Sequence, residues 1–331
     1  MRIEPEYFSE RPYADTLSLL LADIHMVGGS YVFSEWAAPW SFKMHTPHFA
    51  CFYIVLSGNA WLKILPHGEI LQLKVGELII FPQGIEHIVF CGKEPNNATF
   101  LKDFMYETSQ EHTRFFKFDG RGKVTQLLCG YFQFDMSLAQ PLISALPMFL
   151  HLPSDDGNMH EWLKIGIHFI VEEAKRERPA HQAILNRIFD LLFIECMREY
   201  IENLPVDNNN WLRALRDPYL SRTLTAIHRQ PANLWTLELL AKESGLSRSA
   251  LASRFSLILG QGVMEYLTAY RMRLVAWWLH SSSLTLAHIA EKVGYSSEAA
   301  LSQAFKRKMG CSPRHYRITS NDLDNTLDVP F

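Results

Sequence analysis

The stretch Gly294–Arg317 holds a cationic helix that follows a short turn and ends at a glycine. A serine at its start can cap it, because a hydroxyl accepts from the free N–H groups of the first helical turn. Small and apolar residues fall on one face of this helix. The opposite face carries Glu298, Ser302, Gln303, Lys306 and Arg307. The helix therefore offers polar side chains to a partner.

The same design occurs earlier in the chain. One copy runs from Thr236 to Ser256 and the other from Thr285 to Lys306. Both begin with threonine, continue with LxxxA, and reach a glycine, a hydrophobic residue, a serine and a helix that extends to phenylalanine. The glycine permits the tight turn that a helix-turn-helix requires. We therefore predict two helix-turn-helix motifs, with a helical bundle that binds no nucleic acid as the alternative.

Charge is distributed unevenly along the sequence. From Asp217 to Ile318 there are 13 Lys and Arg against 6 Asp and Glu, although the net charge of the whole chain is -3. A basic C-terminal part beside an acidic remainder indicates that only the C-terminal part meets a polyanion. Chance clustering of solvated charges is the alternative.

The cysteines and the hydropathy of the sequence indicate the cellular compartment of the protein. The 5 cysteines are scattered and form no CxxC pair, which fits a reducing cytosol better than a disulfide framework. Neither a signal-peptide pattern nor a long apolar run is present in the sequence. The sequence predicts a cytoplasmic protein with no membrane partner.

A chain of 331 residues is expected to form two domains and a connector. Residues 1–152 contain short apolar runs separated by Gly, Pro and Asn, which predict a β-sandwich or small barrel. The predicted strands are Leu17–Ile24, Ser30–Phe33, Cys51–Leu56, Ala60–Leu65, Ile70–Lys74, Glu77–Phe81, His87–Cys91 and Val124–Asp135. Residues 207–318 are predicted to be all helical, and 319–331 to be a flexible tail.

Residues 153–206 are predicted to form a helical hairpin between these domains. Met159–Arg176 and His181–Asn203 are both amphipathic, and Arg178-Pro179 separates them. The second helix carries more apolar surface than one partner needs, which favours a second contact in a homodimer. Packing of both faces within one chain is the alternative.

The region Trp211–Arg317 resembles the DNA-binding domain of the AraC/XylS transcription regulators. The matching segments are WTLELLAKESGLSRSALASRF, MEYLTAYRMRLVAWWL and GYSSEAALSQAFKRKMGCSPRHYR. The resemblance implies seven helices with two helix-turn-helix motifs joined by a long helix. It also implies that the helices Ser247–Leu259 and Ser297–Lys308 enter two successive major grooves of double-stranded DNA.

The resemblance implies which side chains meet the DNA. The base edges are expected to meet Arg248, Ser249 and Ser253 from the first helix and Glu298, Ser302 and Gln303 from the second. Phosphates, or solvent, are expected to meet Lys306, Arg307, Arg314 and Arg317. Gln303 can pair with adenine, and Glu298 can accept from cytosine. Many relatives carry Arg in place of Gln303, so their base preference does not transfer. Arg254 either contacts DNA or supports the fold.

The N-terminal part resembles the cupins, and most closely the cupin ahead of the DNA-binding domain in one AraC subgroup. The segments GELIIFPQGIEHI, ending at Ile88, and HTPHFACFYIVLSGN, starting at His45, are similar to the two cupin motifs. Metal-binding cupins use two or three His and a Glu. Here Phe52 and Tyr53 stand where the Glu is expected. The resemblance thus implies an emptied cupin with no required cofactor, in which an organic effector meets His45, His48, Tyr53, His87 and Cys129. A divalent metal on His45, His48 and His87 is the alternative.

Such a barrel could also respond to a redox signal. Cys91 and Cys129 are expected to approach His87, and a thiolate near an imidazole is readily oxidised. Buried, unreactive cysteines are the alternative.

Together these features predict a multidomain α+β protein: a cupin-like β-barrel, a helical linker hairpin and an all-α double helix-turn-helix domain. We expect a non-enzymatic transcription regulator that binds DNA as a homodimer, responds to a small molecule or redox signal, and meets RNA polymerase if it activates. One alternative is a cupin metalloenzyme, a dioxygenase or isomerase, with an appended DNA-binding domain. Another is a non-catalytic module whose helices bind protein.

Overall fold

The structure, a computed structural model, describes residues 16–22, 26–47, 49–65, 67–96, 98–102, 115–134, 136–154, 160–176, 179–204 and 211–323. The chain forms two compact units. The barrel unit comprises the described residues within 26–135 and 141–203, and the helical unit comprises the described residues within 16–22, 136–140 and 204–323. The boundaries at residues 152, 206 and 318 stay predictions. Within the described ranges, no helix is both long and apolar enough to cross a membrane.

The barrel unit is built from two sheets. Its strands are β1 (Met26–Ala37), β2 (Trp40–Met44), β3 (Ala50–Ser57), β4 (Ala60–Ile64), β5 (Glu69–Leu73), β6 (Leu78–Phe81), β7 (His87–Cys91), β8 (Phe115–Phe118), β9 (Val124–Phe134) and β10 (Leu150–Leu152). One sheet has the order β10-β6-β3-β9-β1-β8 and the other β2-β7-β4-β5. All neighbouring strands are antiparallel except β1 and β8. The predicted cupin-like barrel is confirmed.

Side-chain alternation explains how the smaller sheet faces the core. In β2 and β4 every second residue is buried, so that Phe42, Met44, Leu62 and Ile64 point to one face. Strands β3 and β6 are almost entirely buried, which is typical of strands covered on both faces. The interior of the barrel is packed with large side chains such as Trp36.

The turn before β7 joins the two cupin-like segments. Thr46 N–H donates to the carbonyl oxygen of Gly84 at 3.0 Å. Gly84 has φ +58°, and a Cβ built there would lie 1.7 Å from the carbonyl oxygen of Thr46. Glycine is required at this position because both the backbone angle and the close approach exclude a side chain.

The predicted helical hairpin is present. It consists of α3 (Glu161–Arg176) and α4 (His181–Glu202), which pack against each other. In α4, Phe189 contacts the rings of Tyr31 and Phe52 on the larger sheet. One apolar face of α4 is therefore buried within its own unit. A shorter helix, α2 (Met136–Ala145), precedes β10 and had no counterpart in the sequence-based expectations.

The helical unit contains a helix that the sequence did not suggest. Leu17–Ile24 was expected to be a strand, and this prediction is wrong, because Thr16–Ala22 forms helix α1. Its run of leucines lacks the alternation of a strand, and leucine has high helix propensity. The buried hydroxyl of Thr16 bonds the hydroxyl groups of Ser221 at 2.6 Å and Thr225 at 2.8 Å.

The other helices of this unit follow the predicted order. They are α5 (Pro218–Arg229), α6 (Leu237–Ser244), α7 (Arg248–Leu259), α8 (Val263–Ser281), α9 (Leu286–Lys292), α10 (Glu298–Met309) and α11 (Pro313–Leu323). A short 3-10 helix at Trp211–Leu215 precedes them. Helix α11 continues to Leu323, so residues 319–323 are helical although a flexible tail was predicted from residue 319.

Candidate nucleic-acid interface and barrel site

The first helix-turn-helix consists of α6 and α7. The hydroxyl of Thr236 caps α6 by accepting from the N–H of Leu239 at 3.2 Å. Gly245, with φ +76°, ends the helix, and its N–H donates to the carbonyl of Lys242. The hydroxyl of Ser247 then caps α7. These caps satisfy orphan backbone groups at both sides of the turn.

The second helix-turn-helix, α9 and α10, repeats these caps. Thr285 accepts from the N–H of His288 at 3.3 Å, and Ser297 accepts from the N–H of Ala300 at 3.2 Å. Gly294 has φ +76°, as Gly245 has. The sequence repeat therefore corresponds to a repeat of local structure.

Each recognition helix is anchored by one apolar face. Leu251 and Phe255 of α7, and Leu301 and Phe305 of α10, have no exposed surface. Phe255 meets the ring of Tyr266 on the long helix α8 at 5.7 Å between centroids. Because these faces are fixed in the core, the opposite faces of α7 and α10 point to solvent.

Three of the predicted first-helix residues, Arg248, Ser249 and Ser253, are exposed. Arg248 Nη1 lies 2.8 Å from Glu238 Oε1 of α6, although both side chains are more than half exposed. The pKa of Glu238 is lowered, first by its own backbone N–H and then by Arg248. The hydroxyl of Ser249 lies 3.3 Å from that of Ser247.

Arg254 has a structural contact. Its Nε and one terminal nitrogen both lie 2.6 Å from Oδ2 of Asp217. Asp217 is buried and caps α5 by accepting from the N–H groups of Tyr219 and Leu220. The guanidinium also lies over the Tyr219 ring. Arg254 thus fixes α7 to the start of α5, and its contact with DNA stays a prediction.

The second recognition helix exposes more charge. Glu298, Gln303, Lys306 and Arg307 are exposed, and Ser302 is half-buried. Lys308 is exposed as well. All of these side chains except Ser302 are available to a partner without rearrangement of the core.

The two arginines after α10 differ in their surroundings. Arg314 is exposed. Arg317 donates to the carbonyl oxygen of Leu279 at 3.2 Å, in the last turn of α8, and to that of Leu284 at 2.7 Å, in the segment between α8 and α9. Arg317 was predicted to meet phosphate or solvent, and its phosphate contact stays a prediction beside this observed role.

Sequence reasoning missed a further structural arginine. Arg271 donates to the carbonyl oxygens of Pro231 at 2.8 Å and Asn233 at 2.7 Å. Its guanidinium also lies 6.0 Å from the centre of the Tyr295 ring in the second turn. The available signal was a cation in the middle of the apolar helix α8, where a charge needs a partner.

The barrel holds a buried pair of polar side chains. The carbonyl of Ile85 can only accept, so His87 Nδ1–H donates to it at 2.7 Å. Nε2 of this neutral imidazole then accepts from the hydroxyl of Tyr53 at 2.8 Å. The ring of Phe81 stacks on the imidazole at 4.1 Å. Burial lowers the pKa of His87 to about 4 and raises the pKa of Tyr53 well above its ordinary value, so both groups are neutral.

The other predicted effector residues lie in different settings. His45 is exposed, and His48 lies outside the described residues. Cys129 is buried and pairs in register with Tyr53. Burial raises the pKa of its thiol to about 12. The structure thus brings Tyr53, His87 and Cys129 into one core.

The expectation that Cys91 approaches His87 is wrong. Both residues are on β7, where a separation of four positions amounts to about 13 Å. The thiol of Cys91 donates instead to Oδ1 of Asn59 at 3.4 Å. A strand is too extended to bring these two side chains together.

A metal does not fit His87 as it stands. Both ring nitrogens are engaged, one by Ile85 and the other by the hydroxyl of Tyr53. Within the described part of the chain, no three His, Cys, Asp or Glu residues form a group that could hold a metal ion. The predicted set includes His48, which lies outside that part, so the three-histidine site stays a prediction.

Known families and relatives match both parts of the chain. A cupin family model matches residues 15–202, and a helix-turn-helix domain model matches residues 240–318. The HTH-type transcriptional regulator AlkR of Acinetobacter baylyi is 33% identical over 323 residues, which cover 92% of this chain and 100% of that protein. A putative AraC-like transcription regulator of Streptomyces lividans is 30% identical over 306 residues, with 92% and 97% covered. This chain belongs to the AraC-type transcriptional regulators.

Among solved structures, the DNA-binding domain of AdpA in complex with a target DNA matches 31% of this chain and 91% of that chain, with 25% identity and a TM-score of 0.29. The AraC-type relatives are regulators of transcription. The protein is accordingly a DNA-binding regulator and not an enzyme, and the alternative of a cupin metalloenzyme is not supported.

Proposed function

We propose that this AraC-type regulator senses a small organic molecule inside its barrel and that binding changes how its helical unit engages DNA. The observation that carries the proposal is the buried hydrogen bond between Tyr53 and His87. An effector with one polar atom could take the place of either partner. Such a ligand would shift the balance between two conformations in proportion to its preference for one of them.

The surroundings of this pair define the class of effector. Phe81, Phe42 and other large apolar side chains line the same core. A binding site lined by such side chains would suit mostly apolar ligands whose few polar atoms fix the orientation. We therefore propose a largely apolar organic molecule with one hydrogen-bonding group, contacted by His45, His48, Tyr53, His87 and Cys129.

A ligand is favoured over a redox signal by the state of Cys129. Oxidation proceeds through the thiolate, and burial keeps this thiol protonated at neutral pH. We therefore expect mild peroxide to leave the DNA binding of both the wild type and Cys129→Ser unchanged. Loss of DNA binding after mild peroxide treatment in the wild type, but not in Cys129→Ser, would favour the redox signal instead.

We propose that sensing needs no cofactor. His87 Nε2 accepts a hydrogen bond from the hydroxyl of Tyr53, so its lone pair is already engaged and is not available to a metal. Metal analysis of the purified full chain should give far less than one equivalent of iron, manganese or nickel. A stoichiometric metal that is lost in His87→Gln would contradict this and restore the three-histidine site.

The DNA contacts are proposed from the exposed faces of the recognition helices. Gln303 would pair with adenine and Glu298 would accept from cytosine, while Lys306, Arg307 and Arg314 would meet phosphates. A gel shift on DNA selected by the full chain from a randomised pool tests this directly. Specific binding that weakens with salt is expected, and the absence of any selected sequence at moderate salt would contradict specific DNA binding.

A homodimer is proposed through the hairpin of α3 and α4. Four large apolar side chains of these helices are exposed, namely Ile165, Phe169, Ile184 and Leu191. A second copy of the same hairpin would cover them and would bring together two DNA-binding units. The dimer would act in the cytoplasm, and as an activator it would also meet RNA polymerase.

Sedimentation of two charge variants tests the dimer. Phe169→Glu should shift the wild-type dimer towards monomer. Ile70→Glu is the control, because Ile70 is an exposed apolar residue on β5 of the same unit. A monomeric wild type, or equal sedimentation of the wild type and Phe169→Glu, would exclude this interface.

The effector is tested by thermal shift on the full chain. A library of small apolar acids, alcohols and aromatic compounds should contain molecules that raise Tm, because a ligand that binds the folded state stabilises it. Tyr53→Phe is the matched variant, since it removes one hydroxyl and keeps the ring. A hit that raises Tm equally in Tyr53→Phe would place the effector elsewhere.

A further inference from the structure

The two recognition helices can be compared position by position. Counted from their capping serines, Ser247 and Ser297, the buried Phe255 and Phe305 occupy the same position. Arg248 therefore corresponds to Glu298, Ser253 to Gln303, Ser256 to Lys306, and Leu257 to Arg307. The two helices present equivalent faces with different chemistry.

The first helix presents little free charge on this face. Arg248 lies 2.8 Å from Glu238, and Arg254 is held by Asp217 at 2.6 Å. Further along the exposed face, Leu257 stands where the second helix has an arginine, and it is 78% exposed. The first recognition helix thus meets its surroundings mainly through hydroxyl groups and methyl groups.

The second helix has the opposite character. Lys306, Arg307 and Lys308 follow one another near its end and are all exposed. Across the residues that the structure describes, no ion pair joins these three cations to a carboxylate. They are free to meet phosphates, and each such contact adds to the salt dependence of binding.

Glu238 is what makes the first helix different. It lies in the first turn of α6, where the second motif has Ala287. Its carboxylate weakens the attraction of this surface for a polyanion in two ways. It forms an ion pair with the guanidinium of Arg248, and it repels phosphates itself. An exposed ion pair contributes little to stability, so the fold does not explain this pair well.

We propose that Glu238 is a specificity-determining residue. It holds Arg248 away from the DNA, so that this arginine meets neither the base edge expected from the sequence nor a phosphate, and the first major groove is read by Ser249 and Ser253. The second recognition helix then supplies most of the salt-dependent affinity. This division rests on the proposed DNA contacts of both helices. It raises the ratio of specific to non-specific binding, because a phosphate contact by Arg248 would strengthen binding to every sequence alike.

Four variants of the full chain test this proposal on two duplexes: one selected by the wild type from a randomised pool, and one scrambled with the same composition. Glu238→Gln should bind the scrambled duplex about tenfold more tightly, with a salt slope steeper by roughly 0.9. Glu243→Gln is the matched control, because it removes an exposed carboxylate from the same helix α6. Arg248→Gln alone should change affinity less than twofold. The double variant Glu238→Gln/Arg248→Gln should lose the gain of Glu238→Gln.

Each outcome distinguishes the proposal from a simpler one. Equal effects of Glu238→Gln and Glu243→Gln would mean that general charge alone acts, and would overturn the proposal. So would a large loss in Arg248→Gln, which would show that this arginine already contacts DNA in the wild type. Reduced specific binding in Glu238→Gln would mean that Glu238 itself positions or reads DNA. Wild-type chain that selects no duplex would instead contradict the proposed DNA contacts.

Discussion

The two helix-turn-helix motifs share their caps but not their surroundings. Gly245 and Gly294 have the same φ, and a threonine caps the helix before each of them. A serine caps the helix after each of them, but the second motif has one more residue between its glycine and this serine. A Cβ on Gly294 would lie 2.2 Å from the carbonyl oxygen of Ala232, whereas one on Gly245 would lie 3.7 Å from a flexible end of Arg222. The same turn pattern therefore occurs once with its glycine packed against another backbone segment and once with its glycine in an open position. The local sequence does not show which of the two surroundings a glycine has.

The largest difference between the motifs should appear in their glycines. Gly294→Ala should lower the free energy of unfolding by about 3 kcal/mol, because it adds a backbone collision to an unfavourable φ. Gly245→Ala should cost about 1 kcal/mol, from the φ alone. Urea unfolding of the full chain measures both. Equal losses would mean that the loop at Ala232 yields freely, and that the two turns are equivalent in practice.

The charges of the second recognition helix provide the next largest effect. Lys306→Gln/Arg307→Gln should weaken binding to the selected duplex about 30-fold and reduce the salt slope by roughly 1.8, since two phosphate contacts are removed. Lys117→Gln/Lys164→Gln removes two exposed cations from the barrel unit and serves as the control. A similar loss in both double variants would show that net charge, and not the position of these cations, determines affinity.

The buried imidazole of His87 contrasts with the exposed imidazole of His288 in the second motif. His87 has a folded-state pKa of about 4, so only the unfolded chain binds its proton between pH 4 and 6.5. The contribution of neutral His87 to the free energy of unfolding is fully present above pH 6.5 and is lost as the pH falls towards 4. The free energy of unfolding should therefore decrease by about 2 kcal/mol between pH 7 and pH 5. Urea unfolding at these two pH values should show that His87→Gln flattens this dependence. His288→Gln, at an exposed residue of α9, should leave it unchanged.

The smallest effect separates the two arginines that follow α10. Arg317→Gln should lower the free energy of unfolding by about 1–2 kcal/mol, because two carbonyl groups lose a charged donor. Arg314→Gln should change stability by less than about 0.5 kcal/mol and instead reduce the salt slope of DNA binding by roughly 0.9. Thermal unfolding and gel shifts of the same two variants measure both quantities. The reverse assignment would contradict the structural role of Arg317.

Much of the helical unit could be predicted because its signals are local. The threonine and serine positions of the repeat indicated the starts of four helices, and hydrogen bonds at Thr236, Ser247, Thr285 and Ser297 confirm these starts. The prediction of a strand at Leu17–Ile24 was wrong because this segment has no clear local signal. A short run of leucines carries no period, and its contact with α5 lies about 200 positions away in sequence.

The sequence by itself determined the two-part architecture, the family and the exposed faces of both recognition helices. These follow from periodicity, capping residues and motif spacing, which act over a few residues. Only the tertiary structure decided which polar residues are already engaged: Arg248 by Glu238, Arg254 by Asp217, Arg317 by the end of α8, and His87 by Tyr53. The partners in these pairs are 10 to 38 positions apart, and folding brings them together through packing that no local pattern records.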